Sequence, residues 1–135
     1  MKYIDSNIFI NSILYDISTD DARISKKILL DVVLGRIIAC TSVLTWDEVV
    51  YIIKRNFGKD IAFKEGNLFL SFPNLHILSI TENELFQSQL LIEKYDIQPR
   101  DALHAACMIS NNISEIISFD PDFDQIEEIS RITPE

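Results

Sequence analysis

The sequence predicts an α/β fold built on a mainly parallel sheet, and three observations lead there. Short apolar runs suited to buried strands recur along the chain, stretches with apolar residues at helical spacing separate them, and no repeat, linker or low-complexity segment interrupts the alternation. Strands joined through helices pair in parallel, because a parallel neighbour is reached only by a long crossover. At 135 residues one core is enough, so residues 1–135 are read as one domain, which buries roughly two thirds of the surface its unfolded chain exposes.

Tyr3 to Asp5 reads as the end of a short strand, and the apolar segment from Ile8 to Leu14 opens a helix. Between Asp20 and Leu34 the positions Ile24, Ile28 and Val32, with Leu29 and Val33, repeat at helical spacing until Gly35 stops the helix. Ile37 to Thr41 is a short continuous apolar run of the kind a strand buried on both faces shows. Thr45 followed three residues later by Glu48 fits a helix-opening capping box, and Trp46, Val49, Val50 and Ile53 continue one apolar face to Phe57-Gly58. A further helix covers about Ile61 to Phe72 and is ended by Pro73, after which Leu75 to Ile80 reads as a strand. Thr81 and Glu84 form a second capping box, opening a helix marked by Leu85, Leu91, Ile92 and Tyr95. Pro99 introduces a helix through Ala102, Ala105, Ala106 and Ile109 that ends at Asn111-Asn112. Ile116 to Phe119 is a strand, and Ile129 to Thr133 is a last one.

Composition narrows the class. The chain is 47% apolar with three glycines and four prolines, unlike a disordered or collagen-like sequence. Twelve basic against twenty-one acidic residues give a net charge of −9, which by itself argues against a nucleic-acid partner, since phosphate binding leaves a basic footprint. Cys40 and Cys107 sit in apolar surroundings without metal-ligand spacing and read as buried, reduced thiols, which speaks against zinc. No signal-peptide pattern opens the chain and no apolar stretch reaches the roughly 18 residues of a membrane span, so a complete cytoplasmic protein without a membrane partner is expected.

Four acids stand where apolar runs break off or helices begin: Asp5, Glu48, Asp101 and Asp120. In a parallel sheet the crevice beyond the carboxyl ends of the strands collects such positions, with Asp5 and Asp120 at strand ends and Glu48 and Asp101 in first helical turns. Carboxylates packed together cannot all stay ionised without a cation, because repulsion and desolvation return protons to some of them. Each acid has a simpler local reading. Asp5-Ser6-Asn7 is also a turn or helix cap, Glu48 also a capping-box glutamate, and Asp101 also a favourable charge at a helix N-terminus. The Ala102, Ala105 and Ala106 stripe implies close packing on the sheet, which would bury Asp101 and call for a metal or a donor. Asp120-Pro-Asp122-Phe-Asp124 is no EF-hand, because Gln125 and Arg131 stand where that loop needs glycine and glutamate; Asp122 reads as a solvated turn, with Asp120 and Asp124 the better site candidates. Ser118 is placed to hold a metal-bound water. His104, one helical turn after Asp101, reads as a packed, hydrogen-bonded structural histidine, and His76 is given no role.

The ordered set Ile4-Asp5-Ser6-Asn7, Thr41-Ser42-x-x-Thr45-x-x-Glu48, Asp101-Ala102-x-His104-Ala105-Ala106 and Ile117-Ser118-x-Asp120-x-x-Phe123-Asp124 resembles the PIN-domain ribonucleases, especially the toxins of VapBC toxin–antitoxin pairs. The resemblance spans the chain from Asp5 to the final strand. It implies a single PIN-like domain with a five-stranded, mainly parallel sheet flanked by helices. It also implies a Mg²⁺ or Mn²⁺ site on Asp5, Glu48, Asp101 and Asp120, with Ser6, Asn7, Ser42 and Ser118 behind them and Asp124 as an extra acid. An RNA endonuclease activity leaving 5′-phosphate and 3′-hydroxyl ends, a homodimer, and an antitoxin whose tail crosses the active-site groove follow from the same resemblance.

Bound divalent ions would make an acidic pocket hospitable to phosphate, which answers the charge objection in part. Lys54, Arg55 and Arg100, with Lys59 and Lys64, are the basic residues nearest in sequence to the acids and are the candidates for holding RNA, if they are not simply solvated charges. Two other functions remain on the residues alone. One is a non-catalytic interaction module on the same fold. The other is a phosphatase with Asp5 as nucleophile, weakened because Asn7 stands where a second Asp is needed.

Overall fold

The structure is a computed structural model and describes residues 1–16 and 18–135. Among the described residues five strands alternate with six α-helices: β1 (Lys2–Ile4), α1 (Ser6–Leu14), α2 (Asp20–Val33), β2 (Ala39–Ser42), α3 (Val43–Phe57), α4 (Lys59–Leu70), β3 (Leu75–Leu78), α5 (Glu82–Lys94), α6 (Pro99–Ser110), β4 (Glu115–Ile117) and β5 (Ser130–Ile132). A 3₁₀ helix, Pro121–Gln125, links the last two strands and was not foreseen from the sequence. All strands pair in parallel in the order β3-β2-β1-β4-β5, so the α/β class and the five-stranded sheet stand. The chain first winds outward from β1 through β2 to β3 and then returns to the other side of β1, which puts the switch point between β1 and β4.

Strand pleating divides the core into two layers. Tyr3 is in register with Cys40 and Ile116, and these face the layer under α5 and α6 with Ala102, Ala105, Ala106 and Met108. Ile4 and Ile117, also in register, face the opposite layer with Ile8, Phe9, Val32, Val49, Ile53 and Phe69 from α1 to α4. The three alanines of α6 are fully buried, as their size and spacing predicted, because small side chains let a helix axis approach the sheet. Among the described residues no helix is long and apolar enough to cross a membrane.

The expected capping box at Thr45 and Glu48 is absent. α3 starts at Val43 with Ser42 as its cap residue, so Thr45 already lies in the first turn and takes a hydrogen bond from Thr41 Oγ1 at 2.7 Å. Glu48 is thereby freed from the helix end. At Thr81 the capping box does form, with Glu84 accepting from the Thr81 amide at 2.7 Å. β3 stops at Leu78, short of Ile80, and Tyr95 caps α5 instead of continuing it. Of the apolar residues on α3 and α4, Ile53 and Phe69 are core, whereas Trp46 and Phe57 remain 41% and 45% exposed.

Gly58 ends α3 and caps α4 at φ 89°, ψ −178°, a region essentially reserved for glycine. A methyl group there would meet nothing within 4 Å, so only backbone strain opposes it. Gly58→Ala should destabilise the fold by about 1–3 kcal/mol in urea unfolding; an unchanged midpoint would show that the junction relaxes to another conformation.

Candidate functional site

Two acids are placed directly by the sheet. Asp5 follows the last residue of β1 and caps α1, its Oδ1 accepting from the Ser6 amide at 2.7 Å. Asp120 follows β4 and caps the 3₁₀ helix, accepting from the Asp122 amide at 2.9 Å. The two therefore flank the switch point at the carboxyl edge, where open α/β sheets bind ligands. For both residues capping and placement in the crevice are simultaneous facts, because the helix that each caps begins at that edge.

Asp101, in the first turn of α6, completes a cluster: one carboxylate oxygen each from Asp101, Asp120 and Asp122 lie within 4.8 Å of one another. Burial, then the charges of Asp120 and Asp5, push the Asp101 carboxyl up to about 6. Asp5 is driven upward chiefly by burial, opposed by His104 and by the Ser118 hydroxyl, which donates to its Oδ2 at 2.5 Å. Ser118 also accepts from the Asp120 amide at 2.9 Å and from Asn7 Nδ2 at 3.2 Å. It thus ties the β4 loop to Asp5, a protein contact where a water-holding role was expected.

Glu48 approaches from α3 and is 15% exposed. Its Oε2 takes the Ser6 hydroxyl at 3.2 Å, and its Oε1 lies 2.5 Å from His104 Nε2. His104 is the packed, hydrogen-bonded histidine the sequence suggested, but its partner is one of the four singled-out acids. Its other nitrogen lies 2.6 Å from the hydroxyl of buried Tyr3, which reaches Ser42 Oγ at 2.7 Å. Burial alone would pull the His104 pKa down; the Glu48 carboxylate and Asp5 outweigh it, and the net direction is upward.

Several expectations need correction. Asp124 is turned away: Arg131 grips its carboxylate at 2.9 and 2.8 Å and holds it below the usual range. Asp122 is exposed in the turn, as the sequence suggested, and one of its carboxylate oxygens also lies in the cluster with Asp101 and Asp120. Lys54 and Arg55 sit in the last turn of α3, six residues past Glu48 or about 9 Å along the axis, on the run away from the carboxyl edge. Arg100 is exposed beside Asp101 at the start of α6. The thiols of Cys40 and Cys107 are free, and burial pushes them up to about 12 and about 11. Tyr3 had no chemical signal in the sequence, being an aromatic in an apolar strand; His104 had one, its one-turn spacing from Asp101.

The donor set of the crevice is all oxygen and mostly carboxylate, which suits a hard divalent ion such as Mg²⁺ or Mn²⁺. Fold and crevice together define a doubly wound α/β domain with an acidic cluster at its switch point. The chain belongs to the PIN-domain family, whose profile matches residues 2–129. It is similar in fold to a chain of a toxin–antitoxin complex from Klebsiella pneumoniae (21% identity, 100% of this chain and 98% of that one, TM-score 0.72). It is likewise similar to VapC20 of Mycobacterium tuberculosis, a sarcin–ricin-loop-cleaving toxin (15%, 99% and 100%, 0.78), and to VapBC2 of Rickettsia felis bound to a promoter DNA fragment (18%, 100% and 100%, 0.74). At these identities the likeness establishes the fold. Comparison with curated proteins gave no match.

Asp101 and Asp5 hold protons more tightly folded than unfolded, where an aspartate titrates near 3.9. The favourable contribution of the Asp101 proton is fully present below about pH 4 and is lost as the pH rises through about 6. Metal-free Asp101→Asn should therefore be more stable than metal-free wild type at pH 7.5, by on the order of 1 kcal/mol after allowing for partial solvation of the carboxyl. The two should converge near pH 4. Urea unfolding in EDTA at both pH values checks this, and identical midpoints at pH 7.5 would rule out repulsion in the crevice.

Proposed function

We propose that this chain is a divalent-metal-dependent endoribonuclease and the toxin of a toxin–antitoxin pair. The observation that carries the reading is the Asp101, Asp120 and Asp122 cluster beside Asp5, with Asp101 pushed up to about 6 by burial and like charge. Such a crevice is relieved by a cation, and Mg²⁺ or Mn²⁺ matches its oxygen donors. When bound, the ion supplies charge neutralisation at a phosphodiester and a more acidic water.

The chain's own residues do the rest. Asp5, Asp101 and Asp120, with Asp122 and Glu48 at the margins, hold the cation. The Ser118 hydroxyl and the Ser6 amide fix the Asp5 carboxylate through its two oxygens. Arg100, at the crevice rim, is the basic residue best placed to meet an RNA phosphate; the position of Lys54 and Arg55 on α3 leaves them for more distant contacts.

Likeness to chains of toxin–antitoxin complexes supports an antitoxin partner, and a homodimer is proposed from the sequence resemblance. The exposed apolar residues Trp46, Phe57, Phe63, Leu70, Phe86 and Leu90 supply surface for both contacts. So does the apolar cavity of about 350 Å³ between Phe9, Ile13, Leu29, Val49, Leu68 and Phe72. The expected setting is the cytoplasm. A non-catalytic binding module is the second reading, favoured by the net charge of −9.

Incubation of purified protein with mixed structured RNA should give cleavage in Mg²⁺ or Mn²⁺ and none in EDTA. Folded Asp101→Asn should lose at least about a hundredfold in rate, the scale of losing one electrostatic contact made in the transition state. Metal-independent cleavage, or full activity in the variant, would sink the mechanism; a folded, partner-free protein that never cuts would favour the binding module. Light scattering at micromolar concentration should return twice the chain mass, and a stable monomer would remove the dimer.

A further inference from the structure

We infer that His104 is a positioning residue that sets the orientation of Glu48 at the cation site, acting as the middle member of a buried Tyr3–His104–Glu48 arm; the inference rests on the metal-site reading above. Tyr3 is fully buried and His104 is 1% exposed, so neither bond of the arm is exchanged with solvent. The imidazole packs edge-on against two rings, with centroids 5.6 Å from Tyr3 and 6.5 Å from Phe123.

Proton counting fixes the polarity of the arm. Tyr3 has one hydroxyl proton for two neighbours, Ser42 Oγ at 2.7 Å and His104 Nδ1 at 2.6 Å. If the proton goes to Nδ1, the neutral ring carries its own hydrogen on Nε2. If it goes to Ser42, Nδ1 must donate to the phenol, and the ring still needs a hydrogen on Nε2 to face an ionised carboxylate. Both arrangements have Nε2–H donating to Glu48 Oε1, at 2.5 Å.

The same carboxylate is held from its other side. Ser6 Oγ, 3.4 Å from Asp5 Oδ1, reaches Glu48 Oε2 at 3.2 Å. One donor on each oxygen fixes the plane of the carboxylate, and about two of its four lone-pair directions stay available for a ligand. The alternative is that His104 only fills space in the core. Packing alone does not call for a Glu48 carboxylate against its Nε2 and a phenol against its Nδ1.

The test measures Mn²⁺ affinity by calorimetry, alongside RNA cleavage, in wild type, His104→Leu, His104→Gln and Tyr3→Phe, with folding checked by circular dichroism. His104→Leu removes both bonds and should weaken Mn²⁺ binding by about tenfold or more, the usual consequence of losing a partner behind a metal ligand. His104→Gln keeps an N–H toward Glu48 and should recover most of that loss, and Tyr3→Phe, which lacks a single hydroxyl, should fall between. Equal affinities in wild type, His104→Leu and Tyr3→Phe overturn the inference, as does a loss in His104→Leu that His104→Gln fails to recover. Wild-type protein that binds Mn²⁺ but cuts no RNA overturns the nuclease reading alone, with the affinity ranking still deciding the role of His104; wild-type protein that binds no Mn²⁺ overturns both.

Discussion

Repulsion among carboxylates held in a half-buried crevice is the constraint around which this molecule is organised. One carboxylate oxygen each from Asp101, Asp120 and Asp122 lie within 4.8 Å of one another with buried Asp5 beside them, and burial with like charge pushes Asp101 up to about 6, so its ionisation is costly. The surroundings show how that cost is contained. Donors are brought to three of the acids: the Ser6 amide and Ser118 hydroxyl to Asp5, the Asp122 amide to Asp120, and Ser6 and His104 to Glu48. These bonds hold the acids in place without neutralising the cluster, which is the arrangement a cation site requires.

The parallel sheet makes that gathering possible. Because β1 and β4 are neighbours although more than a hundred residues apart, Ser118 can bond Asp5, and Asn7 can bond Ser118. Arg131 reinforces the same loop from β5, gripping Asp124 and donating to the Ser118 carbonyl at 3.2 Å. An acid that looked in sequence like part of the site therefore serves as an anchor, and its neighbour Asp122 takes the place in the crevice.

Much of the fold could be read directly. The alternation of apolar runs with helical periodicity, the proline that opens α6, the Thr81 capping box and the small-residue stripe of α6 are local signals with local physical causes, and all appear where they were expected. The failures were also instructive. Thr45 and Glu48 have capping-box spacing, but the cap of α3 is Ser42, three residues earlier, and a pattern that depends on which residue is the cap cannot survive that shift. Asp122 and Asp124 differ only by two positions, and which one faces the crevice depends on a 3₁₀ turn and on an arginine seven residues later.

The sequence by itself determined the α/β class, the order of its elements and the acids at their ends, because periodicity, caps and breakers act over a few residues. The tertiary structure alone decided which acids share a crevice, that His104 joins Tyr3 to Glu48, and that Asp124 is withdrawn by Arg131. Those are contacts between distant segments, and their energies depend on distance, burial and the direction of single hydrogen bonds, none of which a linear pattern encodes.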